Sequence, residues 1–281
     1  MSYPLPRYTP SGRFNPLTLA LFLGGIAAGA VVAWPYQLLL RVIPIIQLNF
    51  LLVAGFGAAL AAAGYYAVRT GHCRNRVVAL GLALVLAGVP LAASYYWEAK
   101  HVEDQIGFPT SVSDALAIKR HAGWQIGHGS GSPLKDEAVY FVWGGEALIV
   151  LGIVLFGVGS SVASPYCEKC RRWCEPKQFY VAGVGRAQAE PLLAKGELVA
   201  LALIEPLAQA DRSTSLSFTI TECPGCHEAV FLTVEEKIVT VKKNKTSEKK
   251  KTLIKDVVLA AGQREPALER VNALVGQKLS A

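Results

Sequence analysis

Charged side chains are scarce in this chain of 281 residues: Lys, Arg, Asp and Glu make up 17% of it, against 52% hydrophobic residues. That balance excludes an ordinary soluble domain of this length. The marks of catalysis are missing too. There is no GxSxG or HExxH motif, no Cys–His nucleophile pair and no pair of carboxylates about a defined cleft, so the chain reads as a non-enzyme. Ser2 stands where myristoylation needs glycine, and the C-terminus has no CaaX ending, so no lipid anchor is expected. Internal repeats are also absent.

What charge there is falls mostly after about residue 160, and the apolar excess falls before it. The sequence therefore divides into a membrane half, residues 1–163, and an aqueous half, residues 164–281. A hydrocarbon core about 30 Å thick needs roughly 20 apolar residues in a helix. Four segments meet that need: Leu17 to about Leu40, Leu48 to Val68, Val77 to Trp97, and Ala138 to Val158. Pro35 should end the first near Trp34, leaving Tyr36 to Ile46 as an interfacial connection, and Pro90 should kink the third. Aromatic residues fall at the expected boundaries, at Trp34, Tyr36, Tyr65, Tyr66, Tyr95, Tyr96, Trp97, Tyr140 and Trp143. Ala28-Gly29-Ala30 offers small residues for signal cleavage, but the preceding region is long and loss of the span would invert the charge pattern.

Orientation follows from the basic flanks. Arg7 and Arg13 precede the first span, Arg69, Arg74 and Arg76 join the second to the third, and Lys169, Arg171 and Arg172 follow the fourth. Four spans put all three groups on one side, which the positive-inside rule makes cytoplasmic. The expected location is an integral inner (plasma) membrane of bacterial type, with both termini in the cytoplasm. Cysteine placement agrees, because none of the six cysteines lies in a predicted outer segment and a reducing compartment keeps thiols available for metal.

Two CxxC knuckles, Cys167-Glu168-Lys169-Cys170 and Cys223-Pro224-Gly225-Cys226, form the usual four-thiolate set of a structural zinc site. Pro224-Gly225 suits the tight turn that aims both sulfurs at one cation. The two knuckles resemble a zinc ribbon, in which each knuckle crowns a β-hairpin. The resemblance covers only the knuckles and the strands around the second, and the long separation between Cys170 and Cys223 requires an inserted element. Cys174 or His227 could replace one of the four ligands. A rubredoxin-like iron site is disfavoured because Arg171 and His227 stand where glycine is expected after each knuckle.

The insertion should contain a helix within Ala187 to Leu207, with Pro191 in its first turn. Leu216 to Thr221 alternates as a half-buried strand. Ala229 to Val241 and Thr252 to Leu259 read as arms of a β-hairpin, and Glu265 to Leu279 as an amphipathic helix. The expected fold is thus a bundle of four transmembrane helices followed by a small α/β zinc-ribbon-like domain.

The predicted hairpin tip carries Lys242, Lys243, Lys245, Lys249, Lys250 and Lys251. Phosphate or anionic lipid could bind there, although a solvated tip is the plainer reading. Nucleic acid is disfavoured, since no aromatic residues are interleaved with these lysines. Glu146 lies inside the fourth span, where an ionised carboxylate is costly unless paired, protonated or wet. It could take part in ion movement, or simply hydrogen-bond to a neighbouring helix.

The outer loop, residues 98–135, should hold a short helix capped by Ser113 and running through Arg120. Its Gly127 to Ser132 segment resembles a phosphate loop only superficially, and Ser132-Pro133 should open the fourth helix. His101, His121 and His128 match no compact metal motif. Small-residue stretches at Gly24 to Gly29 and Gly55 to Gly64 allow close helix packing within the bundle or between copies of the chain.

The leading expectation is a multi-pass membrane protein whose cytosolic four-cysteine domain binds zinc and serves as a protein-interaction or assembly module. The alternative is a small transporter or channel that uses Glu146.

Overall fold

Asn15 and Asn75 each place a side-chain oxygen on a free backbone N–H, Asn15 on Leu17 at 3.0 Å and Asn75 on Val78 at 3.1 Å. They start two of four long helices, α1 (Pro16–Val42) and α3 (Arg76–Ile106), the others being α2 (Ile46–Gly71) and α5 (Glu137–Ala163). The computed structural model describes residues 5–43, 46–123, 135–182, 184–197, 200, 204, 214–242, 245–259 and 265. It divides into two compact units, residues 10–163 and a discontinuous unit of residues 1–9 with 164–281.

In the helical unit, α1 packs on α2 and α3, and α5 packs on the same two, so α1 and α5 lie on a diagonal of the bundle. All four helices are long and apolar enough to cross a membrane. On α5 the buried residues Glu146, Val150, Val154, Val158 and Val162 recur every fourth position and form one packed stripe. Away from that stripe Phe141 is 82% exposed and Phe156 79% exposed. Side chains of this size left uncovered call for an apolar surrounding, which lipid supplies.

Helix α1 does not stop at Trp34. It continues through Pro35 to Val42, so the expected interfacial connection from Tyr36 is mostly helix. Here the packing of buried Tyr36 and Gln37 outweighs the lost backbone bond. Helix α3 likewise runs through Pro90 and on past Trp97 to Ile106, taking up the start of the predicted outer loop. At 31 residues it is on the order of 46 Å long, more than a hydrocarbon core requires. A short helix α4 (Val112–Ala122) follows, and its cap is Ser111 rather than Ser113, with Ser111 Oγ accepting from Asp114 N.

Small residues are used inside this bundle. A β-carbon at Gly64 would fall 2.5 Å from Val158 Cγ2, and one at Gly29 would fall 2.7 Å from Pro90 Cγ, whereas Gly24 and Gly55 have nothing within 4 Å. At one end of the bundle the turn between α2 and α3 meets the segment before α1. Arg74 N donates to Arg13 O at 2.9 Å, and Asn75 Nδ2 donates to Gly12 O at 3.1 Å.

The second unit is built on an antiparallel sheet in the order β3 (Glu175–Ala182), β4 (Thr214–Glu222), β5 (Val230–Lys242) and β6 (Lys245–Val258). Helix α6 (Arg186–Lys195) connects β3 to β4. One face of the sheet is apolar. Phe179, Phe218, Leu216, Ile220, Val234 and Ile254 bury themselves there with Ala189 and Leu193 of α6. Strand β3 is hidden in the sequence because Glu175 to Gln178 are exposed and break the alternation. The predicted insertion helix begins as expected, but Gly196, in the left-handed region at φ 73°, ends it, and Pro191 lies in its middle rather than its first turn. Most of residues 198–213, and the predicted helix Glu265 to Leu279 beyond Glu265, lie outside the described residues.

The N-terminal segment belongs to this sheet. Tyr8 N donates to Asp256 O at 2.8 Å, Val258 N donates to Pro6 O at 2.9 Å, and the Tyr8 ring meets Phe231 edge-on at 5.2 Å. In the sequence these residues read with the spans, because Pro4, Pro6 and Pro10 hide any strand signal.

Candidate metal centre

Each knuckle sits at a hairpin turn. The first joins the two-residue strands β1 (Tyr166–Cys167) and β2 (Arg172–Trp173), and the second joins β4 to β5. The ligating atoms of Cys167, Cys170, Cys223 and Cys226 all lie within 4.8 Å of one another, and Cys167 Sγ is 3.6 Å from Cys226 Sγ. No disulfide links them. Among the described residues they form the one group of metal-ligating side chains with this geometry.

The backbone turns toward the sulfurs. Gly225 N donates to Cys223 Sγ at 3.4 Å, and Glu228 N donates to Cys226 Sγ at 3.5 Å. A side chain at 225 would bring its β-carbon 3.2 Å from Cys170 Sγ, a tight approach that glycine avoids. Arg171 and His227, each directly after a knuckle, have φ of 53° and 55°. Both knuckles therefore make the left-handed turn for which glycine is the expected residue, and each makes it without glycine.

Burial pushes the Cys167 thiol up, and the Cys226 sulfur, with burial, pushes Cys170 up, whereas the Glu228 amide holds Cys226 below the ordinary thiol range. Four sulfurs crowded in this way cannot all ionise without a cation between them, and a divalent ion that accepts thiolates resolves the conflict. The donor set is soft, closed and four-coordinate, which fits a structural metal and leaves no position for water or substrate.

Neither proposed substitute enters the set. His227 Nδ1 is 2.6 Å from Glu222 Oε1, and its side chain is mostly exposed. Cys174 is buried beside Cys167, Cys223 and Phe231 but is not among the four clustered ligands. The Tyr166 and Trp173 rings, edge to face at 5.0 Å, flank the first knuckle.

The lysines occupy a different setting from the one expected. The strands run on through the predicted tip, Lys242 pairing with Lys245, so Lys249, Lys250 and Lys251 stand in β6 opposite Ile238, Lys237 and Glu236. Extended geometry sends Lys250 to one face of the sheet and Lys249 and Lys251 to the other, which splits the charge. Glu248 also pairs with Lys237 at 3.0 Å and Lys250 at 3.5 Å. Lys243 lies outside the described residues.

Glu146 is buried in the bundle and accepts a 2.6 Å hydrogen bond from Tyr36 Oη. It is not the isolated charge that the sequence suggests. Glu98, held by Arg41 and Lys119, lines the same cavity. The sequence alone hides these three, because Arg41 reads as interfacial and the other two as loop residues. Of the histidines, His121 lies 3.6 Å from Asp136 and His101 is in α3. His128 and the Gly127 to Pro133 segment lie outside the described residues.

Four membrane-length helices and a four-cysteine cluster fit a membrane protein with a module able to bind metal. The chain matches no protein-family model, no curated protein and no solved structure in the comparisons made.

Proposed function

We propose that this chain is an integral inner-membrane protein of bacterial type with cytoplasmic termini, whose four-cysteine domain holds zinc in a ribbon-like arrangement and serves as a docking or assembly module. The closed sulfur cluster carries this reading, because a metal with no open position builds a surface rather than a reaction centre. Two knuckles on two hairpin turns support the ribbon likeness. The bonds that Tyr8 N donates to β6 and that Pro6 O accepts from it support an even number of spans, since they join the segment before α1 to the domain after α5. The contact of Arg74 with Arg13 gathers two of the basic flanks at one end of the bundle, as the positive-inside rule requires for a cytoplasmic face.

The test is site-specific crosslinking in intact membranes from positions on the sheet domain, with bound metal measured on the same samples, for the native chain and Cys223→Ser. The reading expects a defined crosslinked protein and one zinc in the native chain, both lost in the variant. A variant that keeps the crosslink after losing metal sinks it. A native domain with no partner at any position does the same.

A second reading, a small transporter or channel, is favoured by the polar cavity around Glu146. Flux in reconstituted vesicles that disappears in Glu146→Gln supports a transporter that uses Glu146, equal flux in the two proteins removes Glu146 from it, and no flux in the native protein rules the reading out.

A further inference from the structure

A cavity of about 320 Å³ opens in the helical unit between the end of α1, the C-terminal half of α3, the start of α5, and α4. It has room for roughly ten waters or one small molecule. Its charges are arranged in two poles.

At the first pole Glu98, 4% exposed, receives Arg41 through Nε at 2.9 Å and Nη2 at 2.8 Å, and Lys119 on its other oxygen. Arg41 Nη2 also donates to Trp97 O at 3.1 Å. Two cations share one carboxylate, so this pole keeps a net positive charge and spare N–H donors on Lys119 and Arg41. Lys119 is 42% exposed at the side chain.

At the second pole stands Glu146, 7% exposed. The Tyr36 hydroxyl satisfies one of its oxygens. Among the described residues no cation pairs with it, and its other oxygen has no hydrogen-bond partner. A carboxylate so deep in an apolar bundle needs a countercharge to remain ionised. The Trp143 and Tyr95 rings, edge to face at 6.4 Å, form the adjoining wall, a surface that favours an organic cation.

We infer that this cavity binds a small zwitterion, with its ammonium group on Glu146 against the Trp143 and Tyr95 rings and its acidic group, phosphate or carboxylate, on Arg41 and Lys119. A simple cation would be repelled by the first pole, and a simple anion by the second. A molecule bearing both charges, small enough for the cavity, satisfies each. The same chemistry is offered by the headgroup of an aminophospholipid and by a free amino acid or amino phosphate. The inference is independent of the metal module, and it holds whether the ligand is carried across or only bound.

The test uses the full-length protein in nanodiscs made of phosphatidylglycerol alone, which supplies no ammonium. O-phosphoethanolamine and 4-aminobutyrate are titrated as soluble probes, with ethylamine and inorganic phosphate as single-charge controls. In a second arm the nanodiscs contain phosphatidylethanolamine, and lipid retained on the protein is measured by native mass spectrometry. Saturable binding of a soluble zwitterion, about tenfold or more tighter than either control, assigns a free ligand. Selective retention of phosphatidylethanolamine without soluble binding assigns a headgroup.

In either arm Glu146→Gln, which keeps an acceptor for Tyr36, should weaken binding by about tenfold or more, and Lys119→Gln should weaken it independently. Thermal midpoints and zinc content identify variants that remain folded. Absence of zwitterion binding in both arms overturns the inference. So does binding that folded Glu146→Gln leaves unchanged, or controls that bind as tightly as the zwitterions.

Discussion

Tyr36 of α1 and Glu146 of α5 meet through a 2.6 Å hydrogen bond across the diagonal of the helical bundle, joining two helices that otherwise make little contact. Tyr36 also stacks on Phe56 of α2, with ring centroids 4.4 Å apart, so its hydroxyl is held in place by packing. Tyr36→Phe should keep the stacking and strip the donor from a buried carboxylate, at a cost of about 1–3 kcal/mol. A lower thermal midpoint in detergent, restored in large part when Glu146→Gln is added, is the expected result. Equal midpoints for Tyr36→Phe and the native protein would show that the bond carries no stability.

At the metal centre, Cys170→Ser or Cys226→Ser should abolish stoichiometric metal and make the sheet domain protease-sensitive, with the four helices still inserted. Structural zinc contributes on the order of 10 kcal/mol to folding of such sites. Because thiols give up protons to bind metal, loading the metal-free protein should acidify a weakly buffered solution, and affinity should fall as pH falls. Metal retained by either variant, or loading without proton release, contradicts a four-thiolate site.

Arg171 is exposed and held at φ 53°. Glycine tolerates that conformation, whereas a residue with a β-carbon is disfavoured by about 1–2 kcal/mol and a β-branched one by more. Arg171→Gly should therefore match or modestly exceed the native domain in thermal midpoint, and Arg171→Val should fall below it. The reverse order would mean that the first knuckle does not make this turn.

Gly64 and Gly55 provide an internal contrast on one helix. Gly64→Leu would force a side chain against Val158 and Leu86, costing about 1–3 kcal/mol or more by overpacking. Gly55→Ala meets open space and should gain a few tenths to about 1 kcal/mol from helix propensity. Thermal unfolding of the two variants checks the pairing of α2 with α5.

The chain leaves a clear sequence trace wherever spacing is local. CxxC fixes two sulfurs within one turn, so both knuckles are legible without a structure. Alternation reveals β4 at Leu216 to Thr221, and length and apolarity reveal the four long helices. The strand β3 is not legible, because its first four residues face solvent. Nor is the role of Leu5 to Tyr8, since pairing with β6 is decided by residues some 250 positions away.

The amino-acid order by itself determined which segments are apolar enough to enter a membrane and which four side chains can share a metal, since both depend on neighbours within a few positions. Tertiary packing decided how far α1 runs past Pro35, that the four cysteine sulfurs converge, and that Arg41, Glu98, Lys119 and Glu146 line one cavity. Those outcomes depend on distances between elements remote in the chain. No local period encodes them.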